Sequence, residues 1–182
     1  MANEAKQSFA LAAFPHASLG ASASGNDYFV VSFTITNKWQ QPLQPARSIT
    51  IMILDHLKYT KTHEWVKINR NHTARIGITE YGHRRFNRIL FVQLPEVENE
   101  LEQFDSFGVI ESEKVVFEIY SPLSGKVVSV NEELEDDPSL MQHDPYGDGW
   151  MIELETVNDD EAKNLMDSEE YEEYIKEGGA DE

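Results

Sequence analysis

The sequence has no cysteine and no long apolar run, and each absence excludes a class of protein. Without cysteine, the chain cannot form disulfides, cysteine-ligated zinc sites or iron–sulfur centres, and it has no thiolate nucleophile. Any sulfur redox chemistry must therefore come from a cofactor. Polar residues interrupt every apolar stretch before the roughly 18 residues that suggest a membrane-spanning helix. We therefore expect no association with a membrane.

Basic residues are also scarce. The sequence has 15 lysines and arginines but 33 acidic residues, which gives a formal net charge of -18. Nearly all of this excess falls in residues 131–182, which hold twenty acidic and two basic side chains. Such a segment repels nucleic-acid phosphate, so we expect no nucleic-acid partner. Its simplest interpretation is a solvated face, and the alternative is a surface that steers basic partner proteins.

Motifs for independent catalysis are missing as well. The sequence has no GxSxG nucleophile elbow, no GxxxxGK[ST] phosphate loop and no HExxH zinc motif. Its six histidines are scattered without ligand spacing, and the paired aspartates lack the twelve-residue calcium-loop pattern. We expect neither a metal site nor an enzyme.

The N-terminal segment, residues 1–51, differs in composition from the remainder. It is rich in alanine and serine, is broken by proline and glycine, and holds one strand candidate, residues 28–36, without an obvious partner. It resembles a transit peptide weakly, and Met52 is an alternative natural start. We therefore expect 1–51 to be a poorly ordered extension and 52–182 to form the functional domain.

From Leu57 onward the pattern predicts a mainly β domain of short strands and frequent turns. Asn158 and Glu161 have the spacing of a helix capping box, and helical periodicity follows up to Gly178 and Gly179. The predicted strands are Trp65–Ile68, Ala74–Ile78, Ile89–Leu94, Phe107–Glu111, Val115–Tyr120, Lys126–Val130 and Trp150–Leu154, with a short helix over Glu80–Phe86.

The most informative stretch is Phe107–Gly125, in which two strand-like runs flank Lys114. A lysine at a hairpin tip projects into solvent, where a modifying enzyme can reach its amine. A carrier of a swinging cofactor needs such a place, because its tether requires a rigid base and an exposed end. A hairpin lysine alone is most often a plain solvated residue. The surrounding sequence must therefore show whether this lysine is a modification site.

Six motifs around this lysine occur in one order, and together they resemble the H protein family of the glycine cleavage system. The motifs are LKYTKTHEW (57–65), IGITEY (76–81), LFVQLPEV (90–97), FGVIESEK (107–114), YSPLSGKVVSVNEEL (120–134) and DPYGDGWMI (144–152). The resemblance implies a barrel-sandwich hybrid fold of the lipoyl and biotinyl type, with short C-terminal helices. It also implies that Lys114 is amide-linked to lipoate.

The resemblance further implies a shuttle protein of glycine catabolism and one-carbon metabolism, a carrier component and not an enzyme. Its partners would be the glycine decarboxylase (P protein), the aminomethyltransferase (T protein), the dihydrolipoyl dehydrogenase (L protein) and a lipoyl-attaching enzyme. We expect a monomer. The location would be a bacterial cytoplasm, or a mitochondrial matrix if residues 1–51 are a transit peptide.

Two residues are candidates for a cleft that shelters the loaded arm. Glu64 matches a family position associated with that cleft and could pair with an amine, although an exposed strand carboxylate is an equal interpretation. Thr62 lies two residues earlier, on the same face if the segment is extended.

The sequence also departs from the family pattern near the lysine. Glu113 stands where a small apolar residue is usual, and Val115-Val116-Phe117 replaces Ala-x-Ser. A cluster of three arginines, at positions 84, 85 and 88, replaces an acidic stretch, and Arg85 takes a place where some members carry histidine. Two alternatives therefore stay open: an H-like lipoyl carrier for lipoate relay or sulfur oxidation, and an unmodified binding protein of this fold.

Overall fold

The structure is a computed structural model and describes residues 20–22, 28–34, 48–86, 88–156 and 160–179. The chain is mainly β over this part, as the sequence predicts. The strands are β1 (Gly20–Ser22), β2 (Tyr28–Thr34), β3 (Ser48–Leu54), β4 (Lys58–Tyr59), β5 (Glu64–Ile68), β6 (Thr73–Ile78), β7 (Ile89–Gln93), β8 (Glu100–Leu101), β9 (Ser106–Ser112), β10 (Val116–Tyr120), β11 (Gly125–Val130) and β12 (Trp150–Thr156). The helices are α1 (Glu80–His83), α2 (Glu133–Asp136), α3 (Leu140–His143) and α4 (Ser168–Lys176), and a 3-10 turn spans Glu161–Asn164.

The described strands form antiparallel sheets. The first contains β1, β2 and β3, and the second has the order β10-β9-β7. The third has the order β4-β5-β6-β12-β11-β8. The hairpin that the sequence predicts around Lys114 is confirmed, since β9 pairs with β10, and the predicted strands β5 and β6 also pair with each other. The short helix predicted over 80–86 is confirmed as α1, which ends earlier, at His83.

The main core lies between the second and third sheets. Alternation along β6 buries Ala74, Ile76 and Ile78, while the intervening Thr73 and Arg75 are only half-buried. Strands β7 and β9 contribute buried isoleucine and valine from the other side of the core. Full burial of one such aliphatic side chain stabilises the fold by about 1.5–3 kcal/mol. This core holds the β9–β10 hairpin in place.

A second core lies under helix α4. The rings of Tyr59 and Tyr171 stack with their centroids 4.5 Å apart, and Ile175 packs beside them. Strand β3 contributes Ile51 and Ile53, both of which are buried in this cluster. The strand that enters from the N-terminal segment therefore helps to cover the C-terminal helix.

The N-terminal segment corrects one expectation. The strand predicted over 28–36 is present as β2, but it does have partners, because β1 and β3 pair with its two edges. The expected boundary between residues 51 and 52 falls inside β3. The division into an extension and a functional domain stays a prediction for the residues before this strand.

The C-terminal segment contains a capping box, at a place other than the predicted one. The Asp167 side chain accepts a hydrogen bond from the Glu170 backbone, and the Glu170 side chain accepts one from the backbone of Asp167. Asn158, the predicted cap, lies outside the described residues. Gly178 and Gly179 end the helix as predicted, with φ angles of 111° and 31°.

Candidate functional site

Lys114 is exposed at the tip of the β9–β10 hairpin. The tip is closed by Ser112, whose backbone N–H and hydroxyl both donate to the Val115 carbonyl at 2.9 Å. Glu113 is bonded to the segment that leads into β7, because its N–H donates to the Arg88 carbonyl at 3.1 Å. Hydrogen bonds on both sides thus fix the backbone around Lys114 and leave its side chain in solvent.

Glu64 is buried, with 1% of its surface exposed, which corrects the alternative interpretation as an exposed strand carboxylate. Its Oε2 accepts hydrogen bonds from the hydroxyls of Thr60 and Thr62, the latter at 2.6 Å. Its Oε1 accepts one from the Tyr120 N–H at 3.3 Å. Strands β5 and β10 are therefore joined through this carboxylate, although they belong to different sheets.

Thr62 reaches Glu64 by a route other than the predicted one. The segment before β5 is not extended, because His63 has a φ of 74° and the strand begins only at Glu64. Thr62 is thus an exposed turn residue whose hydroxyl folds back onto the carboxylate. Thr60, which sequence reasoning missed, makes the same kind of contact from the buried side. Its signal was a second hydroxyl four residues before the glutamate.

A small cleft of about 30 Å³ lies beside Glu64, between the second and third sheets. Its volume suffices for about one water molecule. Phe117 packs edge-on against Phe86 with ring centroids 4.6 Å apart, and both side chains line the cleft. The other lining residues are Thr62, His63, Ile78, Gly82, Arg85, Ile110, Glu118 and Ile119. The Phe117 side chain therefore forms part of the wall of the space beside Glu64.

The three arginines of the cluster lie in different settings. Arg84 forms an ion pair with Glu80 at 2.6 Å on helix α1. Arg85 lines the cleft, and Arg88 is exposed next to the hairpin tip. The sequence places these cations together, whereas the structure brings only Arg85 to the cleft.

His63 belongs to a buried network that sequence reasoning missed. Its Nδ1 lies 3.0 Å from the Tyr171 hydroxyl, which is also 2.8 Å from the Thr79 hydroxyl. Burial raises the pKa of Tyr171 well above its usual value, so this phenol stays neutral. The network connects the turn before β5 to helices α1 and α4. It therefore fixes the turn that directly precedes Glu64.

The part of the chain that the structure describes offers neither a metal-ligand cluster nor a membrane-spanning helix. No three of their histidine and carboxylate side chains are grouped as ligands for a metal ion. Among the helices in the described ranges, none is long and apolar enough to cross a membrane.

Comparison with known proteins gives a consistent match over this part of the chain. The family profile described as "Glycine cleavage H-protein" matches residues 57–178. A glycine cleavage system H protein of Staphylococcus epidermidis is 48% identical over 120 residues, which are 66% of this chain and 94% of that protein. The corresponding protein of Staphylococcus saprophyticus is 48% identical over 121 residues, 66% of this chain and 95% of that protein.

A solved structure shares the fold. The crystal structure of a glycine cleavage system H protein from Mycobacterium marinum aligns with a TM-score of 0.61 and 33% sequence identity. The alignment covers 69% of this chain and 99% of the other chain. The barrel-sandwich hybrid fold expected from the sequence is confirmed.

Proposed function

The chain belongs to the glycine cleavage H-protein family, and from this premise we propose that Lys114 is the residue that carries its lipoate. The family provides the lipoyl-carrying shuttle of the glycine cleavage system, and this chain serves as such a carrier. The observation that supports Lys114 is its exposed place at a backbone-fixed hairpin tip. A primary amine in solvent fits amide attachment.

Lipoate, the two strands of the hairpin and Lys114 each have a separate role in the proposed carrier. Lipoate supplies the disulfide and dithiol chemistry that a chain without cysteine lacks. Strands β9 and β10 provide the rigid base, because their inner faces are packed in the main core. Lys114 provides the mobile end, so that one tether can be presented to several active sites.

Glu64 is our candidate for receiving a protonated amine at the cleft, with Thr62 beside it. Two carboxylate oxygens offer about four acceptor positions, and the three hydrogen bonds from Thr60, Thr62 and Tyr120 leave one. Thr62 is exposed and closes the outer side of this carboxylate. An amine entering from solvent would meet Thr62 first and then Glu64.

We propose three enzymatic partners and one modifying enzyme. The chain would take the aminomethyl group of glycine from the decarboxylase to the aminomethyltransferase and then present the reduced arm to the dihydrolipoyl dehydrogenase. A lipoyl-attaching enzyme would load Lys114. In this scheme the chain catalyses no step itself and acts as a monomer. We propose the bacterial cytoplasm as its location, in line with the bacterial relatives that it matches.

Mass spectrometry tests the attachment site. The full-length protein, produced with lipoate supplied, should gain the mass of one lipoyl group, and a peptide containing Lys114 should carry it. The Lys114→Arg variant keeps the positive charge but offers no acylable amine, so it should stay unmodified. An unmodified wild-type protein, or an adduct on another lysine, would contradict the proposal.

One observation favours a second candidate, an H-like carrier for another lipoate-dependent system. Arg85 lines the cleft beside Glu64, and a cation there would oppose an incoming protonated amine. Reconstitution of the lipoylated protein with the three glycine cleavage enzymes separates the two functions. Glycine-dependent release of carbon dioxide supports glycine cleavage, and its absence with lipoylated protein would favour the second candidate.

A further inference from the structure

The outer face of the β10-β9-β7 sheet is apolar around Lys114. Leu90, Phe91, Val115 and Val116 are exposed by 48%, 49%, 44% and 65%. They are four of the nine exposed large apolar side chains in the part of the chain whose side chains are described. We call these four residues the tip patch. Apolar side chains scattered singly are ordinary, but a cluster of four at one end of one sheet marks a contact surface.

The strand register places Val116 and Phe91 of the patch in one row. Val116 lies opposite Glu111 on one side of β9, and Phe91 lies opposite the same Glu111 on the other side. Because directly paired residues point to the same face, these two apolar side chains flank Glu111 on the outer surface. Val115 lies between Lys114 and Val116 in the chain, so the patch adjoins the lysine.

A bulge adds Leu90 to this surface. The register of β7 against β9 shifts between Ile89 and Phe91, which leaves Leu90 as the extra residue. Regular alternation would turn one of two successive residues inward, yet Leu90 and Phe91 are both exposed, while Ile89 and Val92 are buried. Bulges of this kind redirect side chains next to functional sites.

We infer that the tip patch is the docking surface for the enzyme that attaches lipoate to Lys114, an inference that rests on the proposed function. This enzyme must bring an activated lipoyl carbonyl to Lys114 Nζ. There the amine attacks the carbonyl carbon of a lipoyl adenylate, a C–N bond forms, the bond to the phosphate oxygen breaks, AMP leaves and one proton passes to solvent. The enzyme therefore has to enclose the root of the arm, beside Val115 and Val116.

The position of the patch favours this partner over the enzymes of glycine cleavage. Those enzymes act on the dithiolane at the far end of the arm, so contact with the residues next to the lysine is not required of them. The attaching enzyme, in contrast, must contact these residues, because its target atom belongs to Lys114 itself. Direct apolar contact with the hairpin is therefore expected of the enzyme that attaches lipoate to Lys114.

Charge supports the same partner. Glu111, Glu113 and Glu118 are exposed around the tip patch. An enzyme that holds an anionic adenylate needs cationic groups at the mouth of its active site. Glu111 lies between Val116 and Phe91, and Glu113 and Glu118 are near them, so these carboxylates complement that mouth and help to orient the encounter. The partner surface should thus be apolar, with basic groups placed to meet these carboxylates.

Steady-state lipoylation kinetics test the inference with a purified bacterial lipoate–protein ligase, lipoate and ATP acting on the full-length protein. The variant Phe91→Thr/Val116→Thr removes apolar surface but keeps residues that favour strands. Its kcat/KM for lipoylation should fall at least about tenfold, mainly through KM, because central apolar residues dominate binding energy. The matched control Val128→Thr changes an exposed valine of the third sheet in the same way and should stay within about twofold of wild type.

A competition assay separates docking from chemistry. The Lys114→Arg variant keeps the tip patch and should inhibit lipoylation of the wild-type protein competitively. Adding Phe91→Thr/Val116→Thr to it should raise the concentration required at least about tenfold. Far-UV circular dichroism checks that the variants are folded. If the double variant is not folded, Val116→Thr alone replaces it, and a smaller decrease in kcat/KM for lipoylation is expected.

The outcomes that overturn the inference differ from those that overturn the proposed function. Lipoylation of the double variant with an unchanged kcat/KM would overturn the docking surface while leaving Lys114 as the attachment site. The same result combined with slower glycine decarboxylation would assign the patch to the decarboxylase and overturn the inference as stated. A wild-type protein that the ligase does not modify, while it modifies another lipoyl acceptor, would overturn both.

Discussion

Glu64 shows how hydrogen bonds can hold a buried carboxylate. Its two oxygens accept from Thr60, Thr62 and the Tyr120 backbone, and these donors replace much of the water that burial removes. Hydrogen bonds to an ionised acceptor are roughly twice as strong as those between neutral groups. The cluster therefore stabilises the junction of β5 and β10 as well as forming a candidate binding site.

Substitution of this glutamate should lower the stability of the protein. Glu64→Gln keeps the volume but places an amide NH2 where an oxygen accepts, so at least one buried donor loses its partner. We expect the free energy of unfolding to fall by about 1–3 kcal/mol in urea titrations. The control Thr62→Val removes an exposed donor and should cost less than about 1 kcal/mol. Equal losses in the two variants would contradict the assigned burial.

His83 is a titratable group whose surroundings oppose its charge. Burial lowers the pKa of this histidine from its usual 6.5, and nearby Glu80 counteracts the shift only in part. Neither ring nitrogen has a hydrogen-bond partner among the described residues. The folded protein thus binds a proton at His83 less readily than the unfolded chain does.

This shift predicts a loss of stability as the pH falls. Below about pH 6.5 the unfolded chain binds more protons than the folded one, so the free energy of unfolding decreases with decreasing pH. His83→Asn removes the titration, and the slope of unfolding free energy against pH between about pH 7.5 and 5.5 should become smaller. Urea unfolding at several pH values measures it. An unchanged slope would show that His83 does not contribute.

The β9–β10 hairpin makes the position of its lysine specific. Residue 113 is bonded through its N–H to Arg88, which directly precedes β7, whereas Lys114 lies at the turn itself. Because neighbouring side chains of a tight turn point in different directions, the amine of a lysine at position 113 would lie elsewhere. The turn should therefore discriminate between two adjacent positions.

Exchange of the two tip residues tests this geometry. The variant Glu113→Lys/Lys114→Glu keeps composition and charge but displaces the amine, and lipoylation should become about 100-fold slower, as small misplacements of reacting atoms cost rate. The control Glu113→Ala keeps Lys114 and should be modified. Intact-mass time courses report both. Rapid modification of the exchanged variant would show that the hairpin tolerates either position.

Long-range packing joins the N-terminal strand β3 to the C-terminal helix α4. Ile53 is buried in the cluster that also contains Tyr171 and Ile175. The chain between them forms the other two sheets, so this contact joins segments that are more than 100 residues apart in sequence. Residues before the family match at 57 thus take part in the folded structure.

Truncation of this isoleucine should destabilise the whole protein. Ile53→Ala leaves a cavity beneath α4 and should lower the free energy of unfolding by about 2–5 kcal/mol. Met52 is the adjacent, exposed residue of the same strand, and Met52→Ala should change stability by less than about 0.5 kcal/mol. Urea unfolding of both variants measures the contrast. Similar small effects would mean that β3 contributes little to stability.

The strands and the hairpin lysine could be predicted from sequence because they depend on local order. Alternation along β6, turn residues between β5 and β6, and two strand-like runs around Lys114 follow from the two-residue period of extended chains. The turn before β5 could not, because the left-handed backbone of His63 depends on its contacts with Tyr171 and Thr79. Thr62 does contact Glu64, but through a turn and not through the extended segment that the sequence predicts.

The remaining features arise only where distant segments meet. The donors of Glu64 come from the turn before β5 and from β10, and the partners of β2 and the cover of α4 come from strands outside the matched family region. Local sequence specifies which residues alternate and where the chain turns. Burial of a carboxylate, exposure of two successive residues at a bulge and contact between β3 and α4 depend on which surfaces pack together. Residues far apart in sequence jointly govern that packing, so it becomes visible only in the folded molecule.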